Sequence, residues 1–241
     1  MKRALLVLSG LVSFTLTSSQ NLPGDSTADR QLQNAVAIYD RYTDRTAPIY
    51  NGREYLYYTT KMDGDPFFLI SDISNGWVSY EGTTYALRSV LYDVTRNEVL
   101  IGMPDSISRI VLQNEFIDSF EASGHIFIHL APDPEQNLAA GGFYDEMYNG
   151  NVRLLATRRK TVEKVIRDNA VILQFSTKDR FYIFKKGLYY LVDNQRDVLR
   201  LFADEKHDLK KLLRSQHLKF RHKNFENILV KVTAFYDQLI H

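Results

Sequence analysis

The chain has 241 residues, with 30 Lys/Arg against 29 Asp/Glu and no cysteine. The missing cysteines exclude disulfides, thiol nucleophiles, Cys-ligated zinc and iron–sulfur clusters, so the fold must be stabilised by its apolar core. The net charge of +1 hides an asymmetry: residues 20–150 carry 8 Lys/Arg against 19 Asp/Glu, and residues 151–223 carry 19 against 8. Either the two halves dock on one another, or the basic half meets an anionic partner, or both are solvated faces of separate elements.

Residues 1–19 read as an export signal. Lys2 and Arg3 precede the apolar run Ala4–Leu16, and Thr17 and Ser19 fall at the −3 and −1 positions before Gln20. The run is about 13 residues, short of the ~20 that a spanning helix needs. No cysteine follows it to carry a lipid anchor. The expectation is an exported protein, in the periplasm, at the outer-membrane periphery or outside the cell. No later segment reaches the ~18 apolar residues of a membrane span.

Residues 20–45 begin as a polar linker, "NLPGDSTAD". "STAD" at Ser26–Asp29 fits a capping box, and Leu32, Val36 and Tyr39 follow at helical spacing, predicting one short helix.

From residue 46 to 192 the pattern alternates β-branched and aromatic residues. Predicted strands include "REYLYYTT", "PFFLIS", "TTYALRSVLYDVT", "HIFIHLA", "NVRLLATRRKTVEKVI" and "RFYIFKKGLYYLV", joined by links such as "EG", "EASG" and "KKG". Such short links favour an antiparallel meander over βαβ crossovers. "APDPEQNLAAGG" is the one longer interruption, a surface loop. In "IYNGREYLYY", Ile49–Tyr58, strand alternation splits the four tyrosines between two faces. That predicts a structural strand, not a one-sided stacking platform.

Residues 193–241 switch to helical period. Asp193 or Asn194 caps a first helix, and Leu209, Leu212 and Leu213 share a face of a second. Phe225, Ile228, Leu229, Val232, Phe235, Tyr236 and Leu239 form the stripe of a third. The predicted fold is α+β. An antiparallel meandering sheet, curved or sandwich-like, follows a short N-terminal helix and carries about three helices packed on it at the C-terminus.

Catalytic motifs are missing from the sequence. HExxH, G-x-S-x-G and the glycine-rich phosphate loops do not occur. His125 and His129 share a strand face about 13 Å apart, too far to chelate one ion from that strand. "MDGDP" at Met62–Pro66 reads as a turn, since it lacks the closing Glu of a calcium loop. No cofactor or metal is expected. Glu54, Asp63, Asp65, Asp72, Asp93, Asp145 and Glu146 leave open a glycan hydrolase built on a carboxylate pair. A curved sheet also leaves open a periplasmic lipid carrier.

The strongest lead is the basic half. Arg158, Arg159, Lys160, Lys185 and Lys186 are the candidate electrostatic anchors, and Lys206, Lys210, Lys211, Arg214, Lys219, Arg221 and Lys223 extend the basic character along the helices. For an exported chain the fitting partners are anionic lipid, lipopolysaccharide, an acidic glycan or another envelope protein, not nucleic acid. The expected function is that of a non-catalytic envelope protein that binds such a partner or scaffolds an envelope component.

The order "YNGREYLYY…GDPFFLIS…GWVSYEGTTYALRSVLYDVTRNEVLI", "RIVLQNEFIDSFEASGHIFIHL", "GFYDEMYNGNVRLLATRRKTV" and "FKKGLYYLVDNQRDVLRLFADEKHDLKKLLR" resembles uncharacterised secreted or periplasmic proteins common in Bacteroidetes-type bacteria. The resemblance spans nearly all of the chain after residue 19. It implies the bacterial envelope and brings no active site.

Overall fold

Two-residue hairpin turns organise most of the chain. The computed structural model describes residues 47–69, 75–103 and 108–240. The export signal expected in residues 1–19, the helix expected within residues 20–45, Asp72 and His241 lie outside the described residues. The strands are β1 (Arg53–Glu54), β2 (Gly76–Tyr80), β3 (Thr83–Leu87), β4 (Val90–Asp93), β5 (Glu98–Gly102), β6 (Arg109–Val111), β7 (Ile117–Ala122), β8 (His125–Leu130), β9 (Gly142–Asn149), β10 (Arg153–Thr157), β11 (Lys160–Arg167), β12 (Ala170–Thr177), β13 (Arg180–Lys185) and β14 (Leu188–Val192). Three helices follow: α1 (Gln195–Leu201), α2 (Lys206–Ser215) and α3 (Phe225–Leu239). The fold is α+β with meandering antiparallel sheets, as the alternation and the short links predict.

The large sheet has the order β14-β13-β10-β9-β8-β7-β2-β3, and a small one the order β1-β6-β5-β4. β11 and β12 pair only with each other and form a separate two-stranded hairpin between β10 and β13. Glu81–Gly82, Ser123–Gly124, Asp168–Asn169 and Lys186–Gly187 all have positive φ at both positions. That is the turn whose twist matches the strands it joins; glycine takes the second position in three of the four at little steric cost, and Asn169 in the other.

Four predicted strands are corrected, the first being "PFFLIS", whose described residues 66–69 form only an isolated bridge from Phe67 to Asp93. "TTYALRSVLYDVT" divides into β3 and β4, which belong to different sheets. "NVRLLATRRKTVEKVI" breaks at Arg158–Arg159, where the chain leaves the large sheet to enter the hairpin. In "REYLYYTT" only Arg53–Glu54 is strand, because Tyr55 and Tyr58 both turn inward to Asp93 and strict alternation is lost.

Two cores lie along the large sheet. In the first, the small sheet packs on β2, β7, β8 and β9 as a sandwich, with Tyr92, Phe120, Phe127 and Phe143 in mutual edge and stacked contact at 4.8–5.8 Å between ring centroids. In the second, the helices cover β10, β13 and β14 through Leu154, Ile183, Val198, Leu209, Leu229 and Val232, and Phe202 stacks on Tyr236 at 3.9 Å. Asn194 caps α1 by accepting from the N–H groups of Arg196 and Asp197, as the sequence predicts. The 131–141 loop covers a third cluster of Leu138, Tyr144, Leu155 and Tyr189, and the Tyr189 N–H donates to the Gln136 carbonyl. No helix among the described residues is long and apolar enough to cross a membrane.

Candidate functional site

The two cores meet at a buried ion cluster. β9 carries Asp145 at the level where β10 has Ala156 and β13 has Phe181. Arg158, just past β10, folds back over this row, and its side chain is 3 % exposed. It donates from Nε and Nη2 to Asp145, from Nη1 to Asp179 at 2.8 Å, and from Nη1 and Nη2 to Glu226 at 2.9 and 2.6 Å. Its guanidinium also lies 5.2 Å from the ring centre of Phe68, in the first core, and 5.7 Å from that of Phe181, packed on the second. Burial alone would lower the Arg158 pKa. The hydrogen bonds to Glu226 and the charges of Asp145, Glu226 and Asp179 outweigh it, and the group is held more firmly protonated than a free arginine. One guanidinium thus joins β9, the β12–β13 link and α3 through its fork of donors.

Of the five predicted anchors, three are therefore engaged internally. Arg158 is buried. Lys185 is 8 % exposed and donates to the Leu201 carbonyl and the Asp204 carboxylate, which ties β13 to the α1–α2 link. Lys160 is half-buried, and its ammonium reaches the Asp65 carbonyl, the Asp65 carboxylate and the Phe67 carbonyl. Neither Arg158 nor Lys185 presents its charge to solvent, because each sits among carboxylates and carbonyls that replace its hydration shell. Arg159 and Lys186 are exposed, and neither side chain has a carboxylate partner among the described residues, although the Arg159 N–H donates to Asp179. Lys186 sits at the tip of the β13–β14 turn. The ion pairs Arg158–Asp145, Lys160–Asp65 and Arg167–Asp63 all run from the basic half to the acidic half.

A larger group of exposed cations lies on the helical segment. Lys206, Lys210, Lys211, Arg214, Lys219, Arg221 and Lys223, on α2 and the connection to α3, face a single acidic residue in the same stretch, Asp208. None of the seven has a carboxylate partner among the described residues. Leu209 and Leu213 turn inward from the same helix into the core, so α2 is split between an apolar inner face and a cationic outer one. Beside this surface a cleft of about 1030 Å³ is lined by Phe181, Phe220 and Phe225 together with Arg196 and Arg221.

Most of the candidate carboxylates are also committed. Arg153 holds Glu146, and Arg167 holds Asp63. Asp145 accepts from Arg158 and contacts His125 Nδ1 at 3.0 Å. Asp93, fully buried, accepts from the hydroxyl groups of Tyr55 and Tyr58 and from the N–H groups of Thr95 and Arg96. Tyr58 is pushed up to about 12, by burial first and then by the Asp93 charge. The Arg96 guanidinium lies 3.9 Å from its ring centre. Sequence reasoning misses these Asp93 and Asp145 clusters, because Tyr55, Tyr58, His125 and Arg158 reach them from 13 to 38 residues away along the chain. No group of three metal-ligating side chains is placed to hold an ion among the described residues. In "MDGDP" the chain bends at Gly64, which has φ +82°, and Asp63 bridges to Gln174. No protein-family model, no curated protein and no solved structure matches the chain.

Proposed function

We propose that this chain is a non-catalytic protein of the bacterial envelope that binds an anionic partner through the outer face of α2 and the α2–α3 connection. The observation that carries the reading is the contrast between two sets of cations. Those at Arg158, Lys160, Arg167 and Lys185 pair internally, while seven between Lys206 and Lys223 do not. Unpaired cations held on one side of a packed helix keep their hydration and their full surface potential. Near an anionic surface each contributes about 1 kcal/mol, and salt screens it beyond a Debye length of about 10 Å at 0.1 M. The export signal in residues 1–19 supports the compartment, where acidic lipid headgroups and glycans are the abundant anions.

The test is co-sedimentation of the full chain with phosphatidylglycerol-containing and with neutral vesicles, at low and at high salt. The readout is the difference between the two vesicle types, since the apolar run 4–16 attaches to either. The reading expects an anionic excess that disappears at high salt and in a Lys210→Glu/Lys211→Glu/Arg214→Glu variant. Equal binding to both vesicle types at low salt refutes it for a lipid surface. An excess that survives the triple reversal refutes the placement on α2.

A further inference from the structure

We propose that the β11–β12 hairpin is a membrane-inserting tip, so that the anionic partner is a lipid bilayer; this rests on the reading above. The register places Val162 opposite Phe175, Lys164 opposite Leu173 and Ile166 opposite Val171, all on one face of the hairpin. The other face carries Thr161, Glu163, Arg167, Gln174 and Ser176, with Ala170 and the partly buried pair Val165–Ile172 among them. At its base the aliphatic face is covered, where Phe175 meets the Tyr58 ring edge-on at 5.5 Å. Towards the tip it is bare: Ile166 is 79 % exposed and Val171 67 %. Ile166 and Val171 are a directly opposed pair, separated from the Asp168–Asn169 turn by the Arg167–Ala170 pair, so their side chains stand together near the end of the hairpin.

Two features favour a bilayer over a protein partner. The first is area. Two aliphatic side chains on a two-stranded tip expose far less than the roughly 800 Å² per partner that a stable protein interface buries. Shallow insertion among acyl chains needs no such area. The second is charge. Lys164 stands on the same face, one pair back from the tip, with no carboxylate partner among the described residues. A lysine behind an aliphatic tip meets headgroup phosphates when the tip reaches the acyl boundary. The body keeps the hairpin fixed in this pose. Asp63 pairs along β12 by donating to the Leu173 carbonyl and accepting from the Phe175 N–H, and its carboxylate holds Arg167 at 2.9 Å. Electrostatic attraction and a small apolar anchor are each weak alone and together hold a peripheral protein at a bilayer.

The experiment places an indole at the tip, Ile166→Trp in a Trp77→Phe background, in the full chain. Its emission is followed on adding phosphatidylglycerol vesicles with plain or with brominated acyl chains. The expected result is a shift to shorter wavelength and quenching by the brominated lipid. Ile166→Asp and Val171→Asp should each weaken the anionic-vesicle excess by roughly tenfold, the effect of losing one buried aliphatic side chain. Both positions are exposed, so circular dichroism should report an intact fold. An unquenched, unshifted indole on a chain that still shows the anionic excess overturns the insertion and leaves the surface reading standing. Loss of the excess in the unaltered chain overturns both. If Ile166→Asp instead dissociates a dimer in light scattering, the tip is covered by a second copy and the inference fails.

Discussion

Removing the Arg158 guanidinium while keeping its aliphatic bulk, as in Arg158→Met, tests the ion cluster that joins the two cores. The three carboxylates it serves are not equally exposed: Asp145 is 1 % exposed, Asp179 20 % and Glu226 38 %. The last two can turn to water, and each should cost no more than the ~1 kcal/mol of a surface pair. Asp145 cannot rehydrate, and it keeps only His125 as a side-chain partner. Stranding one partner of a buried pair costs about 3–5 kcal/mol, so Asp145 dominates the loss. With a urea slope near 2 kcal/mol per molar, the midpoint should fall by about 2 M. Arg158→Met/Asp145→Leu should recover much of this, since the orphaned charge leaves with its partner. Arg158→Lys should fall between, because one ammonium cannot serve Asp145 and Glu226 with paired donors. A loss under about 1 kcal/mol for Arg158→Met, or a double variant no better than the single one, refutes the account of Arg158 as the clamp between the cores.

The remaining predictions concern the helical layer. Asn194→Ala should lower stability by about 1 kcal/mol in denaturant titration, because two N–H groups at the start of α1 lose their acceptor. Thr233→Val should raise it by about 1 kcal/mol: the Thr233 hydroxyl is buried in α3 with no partner among the described residues, and valine keeps its shape. Asp204 gives a pH dependence. Burial would raise its pKa, but the hydrogen bonds from Tyr236 and Lys185 lower it overall. A depressed folded-state pKa contributes stability above the ordinary carboxylate range, and that stability is lost as pH falls through the folded value. The stability gap between the unaltered chain and Asp204→Asn should therefore be constant near neutrality and close below about pH 4. A gap that does not narrow as pH falls below the ordinary carboxylate range would sink this assignment.

Local signals carry through to the structure; distant pairings do not. Asn194 is legible as a cap because a cap bonds within three residues of itself. The Leu209/Leu213 and Ile228–Tyr236 faces are legible because a helix repeats its inner face every 3.6 residues. The hairpin turns at "EG", "SG" and "KG" show through the glycine that their geometry admits. Arg158 shows the limit. Three consecutive cations read as one exposed patch, yet the first is buried, the second exposed and the third half-buried. That outcome depends on Asp145, Asp179 and Glu226, up to 68 residues away along the chain. Tyr55 and Tyr58 leave the alternation that "REYLYY" suggests for the same reason, since Asp93 supplies an acceptor that no local window contains.

The charge asymmetry separates into two populations with different physical roles. Had internal docking absorbed it entirely, the cations left over would be scattered wherever a carboxylate was missing. Some are, as at Lys61, Arg88 and Lys231. The pairs that cross between the halves, Arg158–Asp145, Lys160–Asp65 and Arg167–Asp63, lie at the end of β10 or on the β11–β12 hairpin. Between Lys206 and Lys223, by contrast, seven cations share one short stretch without a single ion pair among the described residues, over a helix whose inner face is fixed by Leu209 and Leu213. Their mutual repulsion costs the fold something at every salt concentration, and an anionic partner would relieve it. The sign of the salt effect therefore separates the two populations. Added salt should stabilise the chain against urea by relieving the α2 surface, and the Lys210→Glu/Lys211→Glu/Arg214→Glu variant should lose that gain. The Arg158 cluster is screened little by salt because it is buried, so its contribution should stay nearly constant over the same range. A salt dependence unchanged by the triple reversal would mean that the α2 cations do not repel one another, and the argument for a partner surface there would go with it.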